Sequence, residues 1–262
     1  MGLRIGEKRV LKLIDAWLSA GVIENGKWKE MEKGTPQGGS ISPLLSNVYL
    51  HYVLDLWFER KIKSRICGRA HLVRYADDFV ILFTRPEDVD VMKTLLTARF
   101  AQFGLSVAEE KTHKTDLTPR ANRGGGDRRS MAFLGFEVFR ASNRMGTGWK
   151  TVFQTEGKRL SRVKAAMKEK LHRMMHWEVE RQAERINSLL VGHFSYYGIA
   201  GNASKIAAFR YFTLRYWRHC LSKRSQKGLV NWEEMEKVIA NASLCPARTR
   251  IGYPMLKSYV RL

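Results

Sequence analysis

His71-Leu72-Val73-Arg74-Tyr75-Ala76-Asp77-Asp78-Phe79-Val80-Ile81-Leu82-Phe83 is the stretch on which the reading of this chain turns. Residues 72–75 and 79–83 are rich in β-branched and aromatic side chains and flank an Ala-Asp-Asp connection. That pattern predicts a β-hairpin with two carboxylates at its tip. Adjacent carboxylates buried together would repel and lose their hydration, so beside apolar strands they imply open solvent or a bound cation. Aspartate is also an ordinary turn residue, and the hairpin alone leaves both readings open.

Working upstream, Lys33-Gly34-Thr35-Pro36-Gln37-Gly38-Gly39-Ser40-Ile41-Ser42-Pro43 combines backbone freedom with a helix start. Ser42 is the expected N-cap and Pro43 the expected first helical residue. Free N–H groups there, with glycines allowing close approach, could hold a phosphate or a nucleic-acid backbone. A loop that merely begins a helix has the same composition. Apolar pairs every four residues (Leu44/Leu45, Val48/Tyr49, Tyr52/Val53, Leu56/Trp57) predict a helix to about residue 65. Before the loop, residues 7–20 read as an amphipathic helix packed on a neighbour, and Asn25-Gly26 as the turn of a short hairpin.

Downstream of the central hairpin, Pro86 opens a helix with Val89, Met92, Leu95, Leu96, Phe100 and Phe103 on its apolar side and Gly104 at its end. Leu105-Ser106-Val107 is then expected as a strand. Residues 43–110 so read helix, strand, strand, helix, strand, the split βαβ pattern without its first strand. Residues 117–130 read as a mobile basic loop, 132–139 as one strand, and Gly146-Thr147-Gly148 as the turn leading to a strand over 149–153. From Gly157 the period becomes helical, with three long helices and a short fourth capped by Asn231. Most aromatics of that tail are expected in its core.

The chain has 262 residues and a formal net charge of +21. The excess is uneven: Lys and Arg number 23 against 17 acidic residues over 1–141, and 23 against 8 over 142–262. Such an excess, interleaved with aromatics, points to a nucleic acid rather than a membrane surface. No apolar run approaches a membrane span and Met1-Gly2-Leu3-Arg4 opens no signal peptide, so a cytoplasmic location is expected. Cys67, Cys220 and Cys245 fit neither a disulfide framework nor a zinc site and are expected as reduced packing residues.

Gly34-Thr35-Pro36-Gln37-Gly38-Gly39-Ser40-Ile41-Ser42-Pro43-Leu44-Leu45 followed by Tyr75-Ala76-Asp77-Asp78 resembles the reverse transcriptases, most closely the reverse transcriptase/maturases encoded by group II introns. Residues 104–112, ending in Lys111-Thr112, resemble the segment after the second palm helix. Phe133-Leu134-Gly135-Phe136 resembles the strand that grips the primer, and the helical tail is similar to the thumb and maturase region. The resemblance implies an α+β fold: a partial palm over 1–154, whose split βαβ sheet lacks its first strand, and a helical thumb/maturase domain over 155–262. It implies DNA synthesis on an RNA template by phosphoryl transfer at two Mg²⁺ ions. Asp77 and Asp78 would be metal ligands, Asp78 the weaker candidate. Tyr75 and Ala76 would line the approach of the primer end, as would Phe133, Leu134 and Gly135. Pro36, Gln37 and Gly38 would contact the templating pair or the incoming deoxynucleoside triphosphate. Lys111 would neutralise the pyrophosphate. Arg159, Arg162, Lys164, Lys168, Arg215 and Arg218 would hold structured intron RNA, while Arg74 reads as a surface charge.

The family's third metal-binding aspartate, expected on a strand before Gly34, has no counterpart here: the only earlier aspartate is Asp15, inside an amphipathic helix. The chain is therefore expected to be a truncated or split form with little polymerase activity alone, its site completed by a separate polypeptide that supplies fingers and the first palm strand or by residues outside this chain. The alternatives are a non-catalytic RNA-binding maturase fragment that assists splicing, and a remnant without a stable fold.

Overall fold

The computed structural model describes residues 5–19, 22–24, 27–29, 41–118, 129–143, 145–224 and 228–259. The chain divides into two compact units, Met1–Lys114 and Thr115–Leu262, each with its own core. The strands that follow residue 130 lie in the second unit with the helices after them.

In the first unit, helix α1 (Lys8–Leu18) buries only Ile14 and leaves Leu13, Trp17 and Leu18 largely exposed. Strands β1 (Val22–Glu24) and β2 (Lys27–Lys29) pair antiparallel in the register expected around Asn25-Gly26, residues that themselves lie outside the described set. Helix α2 (Ser42–Leu50) begins one residue earlier than expected. The Ile41 carbonyl already accepts from the N–H groups of Leu44 and Leu45, which makes Ile41 the cap and places Pro43 at the second helical position.

The helix continues to Ile62 through two π-helical turns, His51–Asp55 and Phe58–Ile62. Leu50, Leu54, Phe58 and Ile62 are all buried, a strict four-residue repeat. In an α-helix of 3.6 residues per turn that stripe would drift by about 40° per step. The wider π turns absorb the drift and keep Leu54, Phe58 and Ile62 on one core.

Strands β3 (Ala70–Tyr75) and β4 (Asp78–Phe83) form the expected antiparallel hairpin. Ala70, Leu72, Phe79, Ile81 and Phe83 face the core that also holds Val53, Leu54, Phe58 and Ile62. Helix α3 (Glu87–Gln102) follows Pro86, adds Met92, Leu96 and Phe100, and ends before Gly104 at φ +66°. Residues 105–107 are not a strand. Leu105 and Val107 pack on the core in alternation with exposed Ser106, but their backbone pairs with no strand among the described residues.

In the second unit the expected single strand over 132–139 is two: β5 (Met131–Phe133) and β6 (Phe136–Ser142), folded back at Leu134-Gly135. Both turn residues take positive φ, +50° and +76°, as a tight two-residue hairpin requires. β7 (Trp149–Thr155) completes a sheet ordered β5-β6-β7. Helices α4 (Gly157–Arg173), α5 (Val179–Tyr197), α6 (Ala203–Ser222), α7 (Trp232–Asn241) and α8 (Tyr253–Tyr259) follow. Ile186, Leu190, Phe194, Ile206, Phe209 and Trp217 fill the core between them. Asn231 caps α7 as expected, accepting from the Glu234 N–H while the Glu234 carboxylate accepts from its own N–H. The three cysteines are free; Cys220 is buried, but Cys67 is exposed rather than packed. No described helix is long and apolar enough to cross a membrane.

Candidate active site

The strand register pairs Tyr75 with Asp78 and leaves Ala76 and Asp77 as a two-residue turn. Ala76 adopts φ +53°, a left-handed conformation that costs a non-glycine residue about 1 kcal/mol. Asp77 and Asp78 are both exposed, and among the described residues neither carboxylate has a hydrogen-bond or ion-pair partner. Adjacent carboxylate oxygens suit a hard divalent cation, and such sites commonly take one or two carboxylates with water and phosphate completing the shell. No group of three or more His, Cys, Asp and Glu among the described residues could hold an ion. The tip therefore fits two ligands of an open site, not a closed cage.

What holds this tip in place is Arg74. It shares the strand parity of Ala70 and Leu72, so its side chain starts on the core-facing side of the hairpin, where an unpaired cation would be costly. Nε and one terminal nitrogen donate to the two oxygens of Asp55, at 2.7 and 2.6 Å. The other terminal nitrogen donates to Asn47 Oδ1 and to the Ala76 carbonyl, both at 2.8 Å. The Arg74 side chain is 12 % exposed and that of Asp55 27 %. Hydrogen bonding from Arg74 holds the Asp55 carboxyl below the usual aspartate range, and His51 Nδ1 lies 3.4 Å from the same carboxylate. A residue expected to be a surface charge thus ties α2 and its first π turn to the carbonyl immediately before Asp77. The available sequence signal was parity: Arg74 falls on the buried side of its strand.

The base of the hairpin is held separately. Asp88, buried in the first turn of α3, accepts from the backbone N–H of Cys67 at 3.0 Å and of Gly68 at 2.8 Å. Thr84 Oγ1 accepts from the Arg69 N–H at 2.9 Å. A Cβ on Gly68 would lie 2.5 Å from Thr84 Oγ1, so the chain there admits only glycine without a shift. Nothing local in the sequence singles out Asp88, one of three acids in the first turn of α3.

In the second unit the Leu134-Gly135 turn lies under α5. Tyr196 donates its hydroxyl proton to the Leu134 carbonyl at 2.9 Å, and Phe136 stacks on the Tyr196 ring. A Cβ on Gly135 would approach Tyr197 Oη to 2.9 Å and Arg159 Nε to 3.3 Å. Arg159, expected at an RNA surface, is therefore brought to the turn expected to meet the primer. On the α4–α6 face, Lys164 sits over the Phe212 ring and Lys168 over the Tyr216 ring, at 5.4 and 5.5 Å, and those two rings stack on each other. Arg162 and Arg215 are exposed on the same two helices. Arg218 is engaged internally: it donates to the Val230 carbonyl and lies over Trp232.

Of the other residues expected at a site, Tyr75 is 67 % exposed beside the carboxylates, and Lys111 is exposed in a single 3₁₀ turn. Phe133 is half-buried at the end of β5. Pro36, Gln37 and Gly38 lie outside the described residues.

The segment that carries the hairpin matches a known family. The profile of the family described as "Reverse transcriptase (RNA-dependent DNA polymerase)" matches residues 3–138. The group II intron-encoded protein LtrA of Lactococcus lactis is 42 % identical over 72 residues, covering 25 % of this chain and 12 % of that protein. An uncharacterised 91 kDa protein in the cob intron of Schizosaccharomyces pombe is 21 % identical over 81 % of this chain and 34 % of its own length. The protein YkfC of Escherichia coli is 35 % identical over 30 % of this chain and 27 % of its own. The matches span between 12 % and 34 % of these relatives' own lengths.

Proposed function

Because the chain belongs to the reverse transcriptase family, among the group II intron-encoded proteins, we propose that it serves template-directed DNA synthesis on RNA, with its helical part gripping intron RNA. The observation that carries this is the pair of exposed carboxylates Asp77 and Asp78, without a partner among the described residues, on a fixed turn within the matched segment. Residues 1–154 act as palm and 155–262 as thumb and maturase region. Asp77 and Asp78 hold Mg²⁺, which when bound polarises the phosphates and the primer hydroxyl. Tyr75 and Ala76 border the primer end, and the 133–135 turn, braced by Tyr196, supports the primer strand. Pro36, Gln37 and Gly38 contact the nucleotide, and Lys111 neutralises departing pyrophosphate.

The α4–α6 face favours a second reading, an RNA-binding module that assists splicing without polymerising. Lys164 and Lys168 over stacked Phe212 and Tyr216 offer cations for phosphates beside rings for bases. Two assays on the purified chain separate the readings. Mg²⁺-dependent extension of a DNA primer on an RNA template, lost in Asp77→Ala, supports the polymerase. Absence of extension together with intron RNA binding that weakens steeply with salt supports the binding module. Binding that ignores salt refutes the role given to the basic helices.

A further inference from the structure

We propose that Arg74 is the positioning residue of the metal-binding turn: its guanidinium, braced by Asp55 and Asn47, fixes the Ala76 carbonyl and thereby aims Asp77 and Asp78. The inference rests on the reading that these carboxylates hold a divalent cation. It starts from geometry. A two-residue turn with an alanine at φ +53° opposes its own preference and needs an external hold. Arg74 donates to the Ala76 carbonyl, which belongs to the same peptide unit as the Asp77 N–H. A flexible cation could not do this reliably, but Arg74 is not flexible: both Asp55 oxygens and Asn47 Oδ1 occupy three of its other four N–H donors. The planar fork matches the carboxylate in two places at once, which an ammonium cannot do. Asp55 in turn sits on a π turn whose winding is fixed by the buried four-residue stripe. The core of the first unit is thus linked to the carboxylates through one side chain.

Asp55 has a second effect. By pairing with Arg74 it cancels a positive charge that would otherwise stand beside a cation site. This gives the test a sign. If Arg74 acted only as a nearby charge, its removal would tighten cation binding. If it only stabilised the fold, its removal would lower stability and leave the affinity of the folded protein unchanged. If it positions the turn, its removal weakens binding despite the electrostatic gain.

The probe is Mn²⁺, with free ion followed by electron paramagnetic resonance on the full chain, at a temperature where circular dichroism shows each variant folded. Hydrogen exchange at residues 76–78 is read alongside. Loss of a supporting partner in a metal site typically costs 10-fold or more, so Arg74→Met is expected to raise the Kd by about tenfold and to speed exchange at 76–78. Arg74→Lys keeps the charge but loses the fork, and is expected to stay several-fold weaker than the native chain. Should Arg74→Met not fold, Asn47→Ala removes one brace while keeping the ion pair, and is expected to raise the Kd by about twofold with the same local exchange signature. Unchanged or tighter Mn²⁺ binding in the folded Arg74 variants, or unchanged exchange at 76–78, overturns the proposal. Equal Mn²⁺ affinity in the native chain and Asp77→Asn overturns the metal reading itself, and the proposal with it.

Discussion

Replacing Asp88 by asparagine tests whether the hairpin base is held by a carboxylate specifically. Asp88 is 4 % exposed, and its two oxygens accept from two different backbone donors, Cys67 N–H and Gly68 N–H. Asparagine has nearly the same shape but one acceptor. One N–H keeps its bond and the other faces an amide NH₂, donor against donor. A hydrogen bond to a charged group contributes about 1.5–3 kcal/mol, and leaving a buried donor unpaired costs a similar amount, so Asp88→Asn is expected to lose about 2–3 kcal/mol. Asp88→Ala loses both bonds but opens space for water, and is expected to cost about 3 kcal/mol, little more than the isosteric change. Urea denaturation of the full chain, followed by tryptophan emission and by hydrogen exchange at Cys67 and Gly68, measures both variants. If Asp88→Asn falls within about 0.5 kcal/mol of the native chain, the carboxylate is not what holds this loop.

Three further outcomes follow from the geometry. Gly135→Ala places a Cβ 2.9 Å from Tyr197 Oη at a φ of +76°, and is expected to cost about 2 kcal/mol in thermal or urea unfolding of the second unit. His193, packed at a tilt against Phe209 and Tyr197, has its pKa pushed by burial from 6.5 down to about 4. The unfolded chain takes up a proton below about pH 6.5 while the folded one does not, so stability falls from there to about pH 4, by about 1–2 kcal/mol after allowance for partial solvent screening. His193→Phe should flatten that part of a pH–stability curve. Asp55 has a depressed pKa, so the stability of its pair with Arg74 is complete above about pH 4 and is lost as the pH falls through the folded value. Asp55→Asn should remove this acid-dependent loss from urea curves taken below pH 4.

The position of the carboxylate turn was more legible than its bracing. Asp77 and Asp78 stand out because alternation and β-branched residues mark both strands, and the structure places the turn where that pattern breaks. Asn231 was legible because a capping box is local, needing only residues three apart. The Leu134-Gly135 turn was not. Phe-Leu-Gly-Phe reads as one apolar run, and leucine at a positive φ runs against turn preference; only Tyr196, 62 residues away in sequence, accounts for it. Residues 105–107 alternate as a strand should, but a strand also needs a neighbour, which no local pattern supplies. Arg74 and Asp55 are 19 residues apart, and Asp55 lies on a π turn whose winding no local pattern announces.

That winding makes the helix a gearing element. A π turn is in effect an α-helix with one residue inserted. Removing one residue from the α-helical stretch before His51, where no π turn absorbs the change, would rotate every side chain beyond the deletion by about 100°. Phe58 and Ile62 would leave the core together and Asp55 would turn away from Arg74. Substitutions at exposed positions of this helix should therefore be tolerated far better than any change in its length, and a one-residue deletion well away from the hairpin should disturb the turn that carries Asp77.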